Sequence, residues 1–133
     1  MNNTYEQTLQ RLEDFHIEPP IFTQAVGNVL EYDPSAGASN PVSVQYPGLD
    51  EAIPGLEYVT VSIHGSRWSS SSTLPPADAL KPCTVSSYAR SAALEESDNY
   101  KIKAVVNFKL VGEECTIRYE SLDRVYKLIA KKP

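Results

Sequence analysis

Proline sets the first limit on this chain. Six of its ten prolines and four of its six glycines lie between Pro19 and Gly55. Each proline removes a backbone donor and fixes φ, so no long helix or long central strand survives that density. Short strands do. Phe22 to Tyr32 can hold one, and Val42-Ser43-Val44-Gln45-Tyr46 alternates apolar and polar. The run from Asp33 to Pro41 reads as an exposed loop.

Outside that region the patterns are more regular. Residues 4–15 read as an amphipathic helix, capped by Thr4 with Gln7 three residues on, and docked by Tyr5, Leu9 and Leu12. Residues 56–64 read as a strand with Val59, Val61 and Ile63 on one face and Tyr58, Thr60, Ser62 and His64 on the other. The Ser-rich stretch 65–76 reads as a mobile loop. Ser87 is placed to cap a helix through Tyr88, Ala92 and Glu95. Ile102, Ala104, Val106, Phe108 and Leu110 share a strand face, and Cys115, Ile117 and Tyr119 continue the alternation beyond the Gly112 turn, which makes a β-hairpin. Leu122, Val125, Tyr126 and Ile129 fall at helical spacing, so the spacing predicts a terminal helix over 122–130. The expected fold is one α+β domain over residues 1–133. It has an antiparallel sheet of about four or five strands, N- and C-terminal helices and long Pro/Ser-rich loops.

Charge is sorted along this chain. Residues 1–98 hold four basic and thirteen acidic residues, whereas 99–133 hold eight basic and four acidic, against a total of −5. The acidic total disfavours indiscriminate adhesion to nucleic acid or membrane. No apolar run is long enough to span a bilayer, and Met1 to Glu6 has neither the basic start nor the apolar stretch of a secretion signal. Two cysteines, Cys83 and Cys115, are too few for a disulfide scaffold. These features point to a protein of the cytoplasm, or of an intracellular or viral assembly, with Cys115 as a buried thiol.

The sorted charge suggests partners. Lys101, Lys103, Lys109 and Arg118 share the polar face of the hairpin, where cations can displace the counterions of a nucleic-acid backbone. Trp68, the only tryptophan, lies beside Arg67 in a polar stretch: it either folds back to cap the core, the preferred reading, or stands exposed with Arg67 as a candidate protein interface. His64 shares a face with Ser62 and lies two residues from Ser66, a nucleophile–base pairing that still requires an orienting acid and oxyanion donors. His16, His64, Cys83 and Cys115 lack the paired spacing of a metal site, and neither phosphate-loop pattern occurs, so no metal and no cofactor are expected. The preferred function is a non-enzymatic binding or assembly module, an accessory subunit acting through protein contacts or self-association. RNA or DNA binding through the basic face is the first alternative. A small hydrolase or transferase built on His64 is the second.

Overall fold

The computed structural model describes residues 4–35 and 39–132. It is mostly β, in two facing sheets. One sheet has the order β1-β3-β6, with β1 Ile21–Phe22, β3 Ser39–Tyr46 and β6 Cys83–Arg90, all antiparallel. The other has six strands in the order β2-β9-β7-β4-β5, with β8 also on β7. Here β2 is Val29–Tyr32, β4 Leu56–His64, β5 Ser69–Leu74, β7 Ser97–Leu110, β8 Ile117–Glu120 and β9 Arg124–Ala130. The helical elements are α1 Thr4–Arg11, the single turn α2 Pro76–Ala79, and a 3-10 turn at Ser91–Ala93.

The helix-flanked sheet of four or five strands is therefore corrected. The expected C-terminal helix is β9, which pairs parallel with β2 and antiparallel with β7. Its inward residues Tyr126 and Leu128 are buried, while Val125 and Ile129 face outward. Apolar residues on both sides of a strand imitate a helical stripe, and the β-branched and aromatic content decides for strand. The expected helix after Ser87 is the end of β6 followed by the 3-10 turn. The expected loop 65–76 contains β5, in register with β4 from His64↔Ser69 to Val59↔Leu74. The expected loop 33–41 gives residues 39–41 to β3, and its residues 36–38 lie outside the described ones.

The strand over 56–64 and, except at Cys115, the hairpin apolar face are as the alternation predicts. Val59, Val61, Ile102, Ala104, Val106 and Phe108 are fully buried. They meet Phe22, Val42, Val44 and Tyr46 from the smaller sheet in one core. Helix α1 docks on Tyr5, Thr8 and Leu12, with Leu9 turned outward. Beyond it Phe15 closes the core edge-on against Phe108, with ring centres 5.2 Å apart.

Strand β7 organises the large sheet. Its first half pairs with β9 and its second half with β4, while β8 takes residues 105–108. Ser121 splices β8 to β9. Its amide donates to the Ala104 carbonyl at 2.9 Å, and its hydroxyl accepts from the Ala104 amide at 2.8 Å.

Candidate functional site

The basic residues of the hairpin do stand on one face. Lys103, Asn107 and Lys109 alternate along β7, facing outward with His64, Thr60 and Tyr58 of β4 in register beside them. Arg118 and Glu120 of β8 lie on the other flank, opposite Asn107 and Val105. Val105 sits between Ser62 and Glu120 on this outer side and is fully covered. Lys101 continues the row, opposite Val125 of β9.

Most of these cations are engaged locally. Glu120 accepts from Lys103 Nζ and from Arg118 Nη2, each at 2.9 Å. These two hydrogen bonds hold its carboxyl well down, at about 2. Lys109 donates to the carbonyl oxygens of Leu110 and Glu113. Lys127, on the outer face of β9, lies 3.9 Å from Asp98. Among the described residues Lys101 alone of the four hairpin cations has no polar partner.

His64 closes β4 at the rim of an open cleft of about 340 Å³, whose walls include Ser66, Glu95, Lys101, Lys103 and Asp123. Partial burial and the neighbouring Arg118 and Lys103 lower its pKa, against a smaller raising effect of Glu120. Ser62 is 8% exposed, and among the described residues no hydrogen bond joins it or Ser66 to His64. The carboxylate nearest in charge to His64, Glu120, is committed to Lys103 and Arg118.

Arg67 and Trp68 part company. Arg67 is exposed and pairs with Glu95 at 3.1 Å. Trp68 folds back, donating its Nε1–H to the Tyr100 hydroxyl at 2.7 Å and tilting against Phe22. Burial raises the pKa of Tyr100 in spite of that bond.

A second cleft of about 260 Å³ lies between α1 and the 47–53 segment, with Arg11, Asp14, His16, Asp50 and Glu51 at its edge. Arg11 crosses it to the Ala52 carbonyl at 3.0 Å. Cys115 is exposed rather than buried, because the hairpin turn runs past it before β8 begins at Ile117. Cys83 is half-buried. Among the described residues no group of three His, Cys, Asp or Glu side chains could hold a metal ion. Nor is any helix among them long and apolar enough to cross a membrane.

The sequence reading missed a second surface, the outer side of the small sheet. Ile21, Ser43 and Ser86 stand in one row across it, Pro41 and Tyr88 in the next, and Gln45 and Thr84 in a third. All seven are uncharged. Tyr88 is 63% exposed and Ile21 45%. The signal was the charge-free run from Pro82 to Ala89, which only the strand assignment turns into a surface.

Searches among protein-family models, curated proteins and solved structures find no match to this chain.

Proposed function

We propose that this chain is a non-enzymatic binding or assembly module, an accessory subunit that works through protein–protein contacts. The observation that carries this reading is the outer side of the small sheet, uncharged except for Arg90 at its end, with Tyr88 and Ile21 standing out of it. Protein interfaces are depleted of charge at their centre and enriched in tyrosine. The opposite face of the molecule is the reverse, a row of charges tied to one another, which suits contact with water. Lys103 and Arg118 share one carboxylate, Glu120, and Lys109 is held by backbone carbonyls, so three of the four cations would have to leave a local partner to reach a phosphate.

The test is a photo-reactive phenylalanine analogue placed at Tyr88 in the cell, with the same group at Lys127 as the control. The reading expects a defined protein adduct from position 88 and none from position 127. No adduct at position 88, together with RNA or DNA binding that weakens steeply across a salt series, would replace it by the nucleic-acid reading.

A further inference from the structure

Among the described residues the small sheet has two edge strands and the branched large sheet three, and four of the five are protected, β8 by being four residues long with Arg118 and Glu120 on it. Natural sheets blunt their edges with short strands, prolines or charges, since an unguarded edge is a template for another strand. β1 is two residues long and follows Pro19 and Pro20. β2 is four residues long and carries Glu31. β5 turns inward against β6, where the hydroxyls of Ser70 and Ser87 are hydrogen-bonded, and ends at Pro75. β6 follows Pro82 and touches β5 through the inner-face Ser87, but no proline or charge interrupts it from residue 83 to 89. It is eight residues long, it is bound by β3 on one side only, and its single charge is its last residue, Arg90.

We propose that β6 pairs with β6 of a second copy of this chain, antiparallel about a two-fold axis, joining the two small sheets into one. The proposal rests on the assembly reading above and names its partner. The absence of charge argues for self-pairing. About a two-fold axis the central residue meets its own copy and its neighbours lie close to theirs, so a charge near the centre would face its own sign, in a chain whose net charge is already −5. An unlike partner imposes no such condition on the strand.

The alternation of faces then restricts the register. Opposed residues must lie on the same side of the sheet, which puts the axis through one residue and not between two. Centred on Ser86, residues 83–89 pair with their copies and Arg90 falls outside. The small, exposed Ser86 meets itself, and the exposed ring of Tyr88 covers Thr84 of the second copy. On the inner side Val85 lies opposite Ser87 of the second copy, so the core continues across the junction.

The experiment is sedimentation equilibrium of the full chain from low to high micromolar concentration, for the natural sequence and for Ser86→Glu and Ser86→Lys. Ser86 is exposed, so either substitution is compatible with the monomer fold. The natural chain is expected to show a concentration-dependent dimer. Each variant alone should weaken it about fivefold or more, because like charges then face each other. An equimolar mixture of the two variants should recover the affinity of the natural chain. A natural chain that stays monomeric throughout, a dimer indifferent to both variants, or a mixture that does not recover would each overturn the proposal. Of these, a monomer that still yields an adduct with a different protein at position 88 removes self-pairing and leaves the assembly reading standing. A monomer with no such adduct removes both.

Discussion

A methyl group added at Gly65 would collide with the indole of Trp68, at Nε1 and Cε2. The glycine lets the chain turn out of β4 tightly enough for that ring to reach Tyr100. Gly65→Ala is expected to cost about 1–3 kcal/mol, the usual range for overpacking, and to push the indole toward water. Because the chain has one tryptophan, a red shift of its emission reads that displacement directly. Two titrating groups on the outer face act in different pH windows. Glu120 is held at about 2 against an ordinary value of 4.5, so its contribution is present above 4.5 and vanishes as pH falls to about 2. Glu120→Gln should therefore lower the urea midpoint at neutral pH and converge with the natural chain near pH 2. His64 has a lowered pKa, so the unfolded chain takes up its proton first and stability falls as pH drops below 6.5. His64→Gln should flatten that part of the curve, which urea titrations between pH 5 and 7 would show.

At the scale of elements, β9 carries the heaviest single dependence. Tyr126 is buried, stacks edge-on to Phe22 at 5.1 Å and accepts the Phe22 amide at 3.2 Å, so it ties the two sheets together. Tyr126→Ala is expected to cost about 3–5 kcal/mol, as truncation of a buried aromatic does, measured by urea denaturation. Its strand was also the hardest to read. Val125, Tyr126 and Ile129 satisfy a helical stripe, whereas the actual inward pair is Tyr126 and Leu128. β5 and β6 were hidden for another reason. Apart from Leu74 and Val85, their inward residues Ser70, Ser72, Cys83, Ser87 and Ala89 are small or polar, so the usual apolar alternation is thin where the two strands approach each other. Where inward residues are large and aliphatic, as at Val59, Val61, Ile63 and along 102–110, the period of two was legible. The same alternation placed the outward cations on one face. It could not show that Glu120 binds two of them, since that needs the pairing of β7 with β8.

At the scale of the whole molecule, charge and exposure divide the surface into two kinds of face. The large sheet shows water a network of paired ions, and the small sheet shows it hydroxyls, an amide, Ile21, one prominent tyrosine ring and, at its end, Arg90. At the centre of the large sheet runs β7, the strand that β4, β8 and β9 all share. That sharing has a kinetic consequence. β7 meets β8 as a local hairpin, but it joins β4 only across the whole of β5, α2 and β6, and such long-range encounters are slow. Substitutions at its centre should act on the rate of folding, and those at the rim on the rate of unfolding. Stopped-flow chevrons of Val106→Ala and Leu30→Ala would show it. The first should slow refolding at nearly unchanged unfolding, and the second should speed unfolding at nearly unchanged refolding. A chain assembled around one shared strand spends its folding time searching for that strand's neighbours, and the uncharged edge of β6 stands open throughout the search.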